Sequence, residues 1–208
     1  MVITGDQIRV WLDPYGISAS PRLCASIQRY MTLLLQWNRR ISLTTVTDPA
    51  EIVRFHFGES LFAVSVVPIR NGRLADVGSG AGFPGLALKL AVPELHATLI
   101  ESNAKKATFL SEVVRDLTLE DVTIARTRTE DYSSRNKPFD FVTARALGKY
   151  ADLLSWSKVN LVPRGKVVLW IGEEECAKIS NLSGWTWRDP VHIPDSERRF
   201  LLIASPKL

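Results

Sequence analysis

The sequence predicts an α/β fold: a mostly parallel sheet covered by helices on both faces, ending in an antiparallel hairpin and preceded by a helical extension. Three observations lead there. From Arg73 onward, short apolar runs alternate with helical segments, as a sheet buried on both faces requires. The first run, with Leu74, Ala75 and Val77, passes straight into a glycine-dense turn and then a helix. Near the end of the chain two strand-like stretches, around Trp185 and at 200–204, are joined by a short loop, which places an antiparallel hairpin at one sheet edge.

Residues 1–72 read as the helical extension, packed on the core of residues 73–208. A first helix covers 6–12. A second opens at Ser20 as N-cap, with Pro21 in the first helical position, where its missing N–H costs nothing. Leu23, Ile27, Tyr30, Met31, Leu34 and Leu35 fall at helical spacing on one apolar face. Trp37 and Asn38 lead into a loop carrying Arg39 and Arg40, basic side chains suited to the negative end of a helix dipole. A third helix starts near Asp48-Pro49 and carries Arg54, Phe55, His56, Phe57 and Glu59. His56, between two aromatic residues, reads as a packed, hydrogen-bonded histidine. Three histidines in the whole chain leave no histidine-rich metal site to build.

The glycine stretch is Asp76-Val-Gly-Ser-Gly-Ala-Gly-Phe-Pro-Gly85. Gly78, Gly80 and Gly82 lack the Cβ atoms that would keep the backbone from turning sharply and approaching a ligand. A literal G-x-G-x-x-G runs from Gly80 to Gly85, but the first glycine after the strand is Gly78, so the working pattern is D-x-G-x-G-x-G. Two cofactor classes fit such a loop: a dinucleotide with its pyrophosphate at the helix N-terminus, or S-adenosylmethionine, which carries no phosphate. A helix over 84–92 and a strand over 97–100 follow, and Glu101 ends that strand 23 positions after Gly78. A carboxylate there can accept hydrogen bonds from both ribose hydroxyls. The competing role is a cap for the next helix, which Ser102 or Asn103 can fill instead.

The remaining elements are a helix over 103–117, a strand over 122–125, a polar turn over 127–132 and a strand over 139–143. A helix over 150–159, a turn at 163–165, a strand over 166–171 and a helix over 173–179 lead to the hairpin. Residues just past the carboxyl ends of parallel strands line the ligand crevice. Thr129, Glu130 and Arg145 are therefore site candidates, with a surface turn and a salt-bridged arginine as their plain alternatives. Trp185 and Trp187 share a strand face and read as core or edge cover rather than base-stacking platforms.

Composition narrows the class. The 208 residues suit one sizeable core, and 46% apolar with 23% charged residues is ordinary for a globular protein. The charge of +4 and pI near 9.2 are mildly basic. The charge is spread evenly, 7 basic against 5 acidic residues up to Gly72 and 19 against 17 after it, so an RNA footprint has to be assembled by folding. Cys24 and Cys176 lie far apart without metal-type spacing, and the N-terminus lacks a signal pattern; a reduced, cytoplasmic protein is expected. The longest apolar run, 61–69, is interrupted by Ser65 and Pro68 and is too short for a bilayer.

With these residues in place, the chain resembles the bacterial small-subunit (16S) ribosomal RNA guanine-N7 methyltransferases, the family also called glucose-inhibited division protein B. The likeness rests on residues 35–44, 54–60, 76–85, 101–110, 143–146 and 196–200, most specifically on the glycine stretch with Phe-Pro-Gly. It implies a Rossmann-like, class I S-adenosylmethionine-dependent methyltransferase sheet, with Gly78, Phe83, Glu101, Thr129, Glu130 and Arg145 contacting the cofactor by position; bulk at Gly80 would obstruct it as well. The chain departs from the family pattern at Ser42, Glu59, Ile171 and Arg199, where Asn, Asp, Lys and His are usual. Arg39, Arg40, Arg54, Lys149, Arg198 and Arg199 are expected around the crevice, contacting phosphates of 16S ribosomal RNA or of the small-subunit particle. Guanine N7 bears a lone pair and no proton, so no catalytic acid or base is expected, nor a metal. A monomer is expected. The rival readings are an oxidoreductase using NAD on the same kind of sheet and a non-catalytic RNA-binding protein that retains the fold.

Overall fold

The computed structural model describes residues 3–134 and 137–207. Its strands are β1 (Gly72–Val77), β2 (Leu95–Ile100), β3 (Val122–Ala125), β4 (Phe139–Arg145), β5 (Leu161–Gly172), β6 (Trp185–Trp187), β7 (Val191–His192) and β8 (Arg199–Pro206). They form one sheet in the order β3-β2-β1-β4-β5-β8-β6, with β7 also paired to β8. The first five strands pair in parallel, and β8 runs antiparallel to β5, β6 and β7. Strand order reverses at β1, which has β2 on one side and β4 on the other, so a crevice opens beyond the carboxyl ends of β1 and β4.

Alternation along each strand buries both faces. Leu74 enters an apolar layer with Leu88, Ala97, Phe141 and Val168. Ala75 and Val77 enter the opposite layer with Val142, Val167, Leu169 and Leu202. Beyond the sheet lies a third apolar cluster, in which Ile8, Leu12, Ile27, Tyr30 and Leu34 pack with Phe83, Leu86, Leu99 and Phe109. Residues before Gly72 thus share a core with the segment that carries the glycine loop.

The helical segments begin where their caps predict. In α1 (Gly5–Leu12), Thr4 and Gln7 form a reciprocal capping box. In α2 (Pro21–Asn38), the Ser20 side chain accepts from Leu23 N. Asp48 accepts from Glu51 N to open a helical run that is not uniform: α3 (Pro49–Glu51), a π-helical segment over Ile52–Gly58, and α4 (Glu59–Val66). In that π segment the Glu59 N–H bonds to Arg54 O rather than to Phe55 O. The apolar spacing of residues 49–66 carries no signal of this shift. The remaining helices are α5 (Gly85–Ala91), α6 (Ala104–Asp116), α7 (Tyr150–Asn160) and α8 (Glu173–Ile179). Among the described residues, no helix is long and apolar enough to cross a membrane.

Three expectations are corrected in detail. Arg145 is the last residue of β4 and pairs with Trp170, rather than lying beyond the strand. The turn at 163–165 lies within β5: Phe139 pairs with Leu161 and Phe141 with Lys166, so the intervening residues bulge out. A Cβ at Gly165 would sit 2.8 Å from Leu161 Cδ2 and 3.1 Å from Val162 O, which explains the glycine there. The loop between β6 and β8 is not short, because it carries β7.

The π segment also packs tightly against Tyr15, in the short turn that follows α1. A Cβ added at Gly58 would lie 2.4 Å from Tyr15 Cε2 and 2.6 Å from its Cδ2, in a fully buried contact. Gly58→Ala is therefore expected to overpack the site and cost about 1–3 kcal/mol of unfolding free energy, read as a lower urea midpoint at an unchanged slope. An unchanged midpoint would show that Tyr15 can move away without cost.

Candidate functional site

The turn from β1 into α5 is held by its own backbone and by buried side chains from elsewhere. Gly78 N and Ser79 N both donate to Ile100 O, at 2.9 and 3.2 Å, which ties the turn to the end of β2. Gly78, Gly80 and Gly82 have φ of +69, +55 and +88°, the left-handed region in which a Cβ is costly. The three glycines differ in surroundings. A Cβ at Gly82 would lie 2.0 Å from Tyr30 Oη and one at Gly78 would lie 3.0 Å from Leu147 Cδ1, whereas at Gly80 the nearest such atom is Gly78 O at 3.7 Å. Gly80 therefore faces open space.

Glu101, only 8% exposed, accepts from Gly80 N (2.8 Å) through Oε2 and from Asn103 N (2.7 Å) through Oε1. The capping of α6 falls to Asn103, whose side chain accepts from Lys105 N and Lys106 N. Glu101 is thus a pin between the glycine turn and the start of α6. Beneath the turn lies Asp76, with no exposure at all. Its Oδ2 accepts from Gly85 N (3.1 Å) and its Oδ1 from the Thr143 hydroxyl (2.8 Å). Burial pushes its carboxyl up to about 6, against the pull of its hydrogen bonds and with a small push from Glu101.

Tyr30, from α2, reaches the same turn. Its hydroxyl donates to Ala81 O at 2.7 Å, and its ring stacks on Phe83 at a centroid distance of 5.4 Å. His56 also stacks on Phe83, at 4.9 Å, and its Nε2 lies 2.8 Å from the Thr44 hydroxyl. Burial, then Arg145 and Arg199, lower the His56 pKa to about 4, so the ring is neutral near pH 7. It is the packed, hydrogen-bonded histidine that its aromatic neighbours suggest. Thr44 is itself fixed by Asn38, whose side chain bonds to Leu43 N, Thr44 N and Thr44 O.

Thr129 and Glu130 line a cavity of about 320 Å³ with Leu147, Gly148, Lys149, Asp152, Leu153 and Trp156. Leu147 is the same side chain that borders Gly78, so this cavity adjoins the glycine turn. Arg145 points elsewhere. Its Nη1 donates to Phe55 O (2.7 Å), the carbonyl left without its ordinary donor by the π segment, and its Nη2 donates to Glu59 Oε2 (2.8 Å). Arg199 Nη2 lies 2.7 Å from the other oxygen, Glu59 Oε1, off the direction of a hydrogen bond. The Glu59 side chain is 1% exposed. Burial raises its carboxyl pKa, with Arg145 and Arg199 pulling against it.

The geometry therefore brings Gly78, Gly80 and Glu101 into one turn, sets Thr129 and Glu130 in the adjoining cavity, and places Phe83 in the aromatic stack behind the turn. Arg145 is a salt-bridged arginine. Arg39, Arg40, Arg54, Lys149 and Arg198 are exposed, and Arg199 is half-exposed. Arg39 and Arg40 border a separate hollow with Gln36 and Trp37. Tyr30 read only as part of a core stripe and Thr143 as a strand residue, and Leu147 fell between the predicted elements. Glu59 stood out only as a departure from a pattern.

A family model described as GidB, rRNA small subunit methyltransferase G, matches residues 23–184. The ribosomal RNA small subunit methyltransferase G of Roseiflexus castenholzii is 37% identical, across 95% of this chain and 89% of that protein. Its counterpart from Salmonella arizonae is 34% identical, across 95% and 96%. Among solved structures, a SAM dependent methyltransferase from Aquifex aeolicus superposes with a TM-score of 0.64 at 16% identity, covering 77% of this chain and 94% of that one. Ribosomal protein L11 methylase from Lactobacillus delbrueckii subsp. bulgaricus gives 0.61 at 18% identity, covering 74% and 80%. These two share the fold.

Asp76 yields a pH prediction. Its folded pKa, about 6, lies above the ordinary 3.8, so between those values the folded chain holds a proton that the unfolded chain has lost. This contribution to stability is complete below about pH 4 and is lost as pH rises to about 6, with a slope of up to about 1.4 kcal/mol per unit. Asp76→Asn keeps an acceptor for Gly85 N and a donor toward the Thr143 hydroxyl. It should fold and lose that slope relative to the parent chain in urea titrations from pH 4 to 6. Parallel profiles would mean that Asp76 titrates normally.

Proposed function

The chain belongs to the family of rRNA small subunit methyltransferase G, and from that premise we propose that it transfers the methyl group of S-adenosylmethionine to N7 of a guanosine in 16S ribosomal RNA. The observation that carries the cofactor assignment over a dinucleotide is the use of the N–H groups at the start of α5. Gly85 N bonds to the buried Asp76 carboxylate and Leu86 N to Gly82 O. A pyrophosphate would need those donors free and would meet a carboxylate already behind them. S-adenosylmethionine has no phosphate and needs neither.

The residues fit its other parts. Glu101 supplies carboxylate oxygens at the end of β2, within reach of ribose hydroxyls, while Gly80 leaves space above the turn. The cavity of Thr129, Glu130 and Trp156 is of a size to take an adenine ring. Gly78 and Gly80 give close backbone approach, and Phe83 acts through the turn that it anchors. Arg145 serves through Glu59 and Phe55 O, rather than by reaching into that cavity.

When bound, S-adenosylmethionine supplies an electrophilic methyl sulfonium. The acceptor, guanine N7, has a lone pair and no proton, so no side chain has to remove one. Asp76, Glu101 and His56 are accordingly all engaged in holding structure. The chain's contribution is to hold the base in line, which a base within a deep, narrow RNA major groove does not permit unless it is looped out or flipped. Arg39, Arg40, Arg54, Lys149 and Arg198 supply positive charge for RNA phosphates, and Arg199 adds a cation on the RNA-facing side. The reading includes a cytoplasmic monomer acting on 16S ribosomal RNA or the small-subunit particle.

Two outcomes test this. Equilibrium dialysis should find S-adenosylmethionine bound and NADH not, and Glu101→Ala should weaken the former about 10- to 100-fold, the roughly 1.5–3 kcal/mol expected for a lost charge-assisted hydrogen bond. Wild-type affinity in the variant would remove Glu101 from the cofactor. Single-turnover methyl transfer on saturated complexes should show no titrating base between acid and alkaline pH. A steep rise through one pKa, abolished by removing one carboxylate or histidine, would mean a protonated acceptor and exclude N7.

A further inference from the structure

We propose that Arg199, ion-paired with Glu59 and laid over Phe55, is a stacking platform for the unpaired target base rather than a contact to phosphate. The inference rests on the RNA reading above and specifies how the base is received. The Arg199 guanidinium carbon lies 5.2 Å from the centroid of the Phe55 ring, within cation–π range. Its Nη2 forms an ion pair with Glu59 Oε1 at 2.7 Å, yet the side chain remains 43% exposed. A planar cation drawn to a buried carboxylate and set over an aromatic ring leaves a flat surface for solvent or for a ring that lands on it.

The anchor of this surface is rigid. Glu59 opens α4, with its carboxylate held from the other side by Arg145 at the end of β4, and its carbonyl accepts from Trp170 Nε1 of β5 at 2.6 Å. Arg199 begins β8 and pairs with Gly172 at the end of β5. The platform therefore stands on three adjacent strands, β4, β5 and β8, at the end of the sheet where β4 and β5 finish and β8 begins. It is linked to the glycine turn through the residue after Phe55, His56, which stacks on Phe83. A base lying on Arg199 is held beside the turn that carries the cofactor.

Phosphate is the poorer occupant because the carboxylate is in the way. Glu59 sets a carboxylate 2.7 Å from Arg199 Nη2, which weakens attraction for an anion. Stacking on the face of the guanidinium needs none of its N–H donors. Guanidinium planes are a recognised surface for splayed RNA bases. Two positions at which the chain departs from the family pattern, Glu59 and Arg199, are thus in contact with each other.

The test compares Arg199→Lys and Arg199→Ala with the wild type in single-turnover methylation of small-subunit RNA substrate at saturating S-adenosylmethionine. Lysine keeps the charge and loses the plane. On this account both variants lose about tenfold in rate at saturating RNA, of the size expected for a lost base-stacking contact. Cofactor affinity stays at the wild-type value, because Arg199 touches no part of the glycine turn, and the salt dependence of RNA binding by Arg199→Lys is unchanged. Glu59→Gln, which releases Arg199 without shortening it, should lose rate in the same direction at saturating S-adenosylmethionine. If Arg199→Lys retains the wild-type rate, whether or not Arg199→Ala is impaired, the proposal is overturned. A wild-type protein that transfers no methyl group to this RNA fails the functional reading itself.

Discussion

The buried carboxylate of Asp76 is the constraint on which the site depends. A fully desolvated acid is costly unless its oxygens find donors, and here they are Gly85 N at the start of α5 and the Thr143 hydroxyl on the neighbouring strand. One side chain thereby fixes the angle between β1 and α5 and the register of β1 against β4, at the point where strand order reverses. Gly85 is close to obligatory beside it, since a Cβ there would lie 2.6 Å from Asp76 Cβ. The glycine turn above inherits its shape from these contacts. Its chemistry follows as well, because a helix start already holding a carboxylate is closed to a pyrophosphate.

Around this centre, the segment before β1 acts as part of the site. Tyr30 closes on Ala81 and Gly82, His56 stacks on Phe83, and Glu59 gathers Arg145 and Arg199 at the mouth of the crevice. The π segment is what permits the last of these: by shifting the Glu59 N–H to Arg54 O, it leaves Phe55 O for Arg145. The glycine turn and the Glu59 ion pairs are thus held by the same helical segment.

Much of this was legible in the sequence, for identifiable reasons. Glycine density after an apolar strand has few causes, and an acid at the end of the next strand is a positional signal, so Gly78, Gly80 and Glu101 stood out. Ser20-Pro21 and Asp48-Pro49 announced helix starts through local capping chemistry, which needs no tertiary information. What depends on long-range contacts did not show. Arg145 was expected just past the fourth strand, but it is the last residue of β4 and its direction is set by Glu59 and Phe55 O, 86 and 90 residues away. Tyr30 followed a core stripe, and nothing in that stripe distinguishes a ring that merely packs from one whose hydroxyl holds a turn. The β5 bulge read as a turn between separate elements, because Pro163-Arg-Gly165 looks the same locally in both settings.

The account comes to a single chemical product: a guanosine methylated at N7 in the small-subunit ribosomal RNA. Mass mapping of nucleosides from that RNA, in cells with and without this protein, tests it most directly. One N7-methylguanosine should be present with the protein, absent without it and restored by the wild-type chain, but not by a Gly78→Val variant whose turn is closed to the cofactor. An unchanged methylation map in cells lacking the protein would contradict the account.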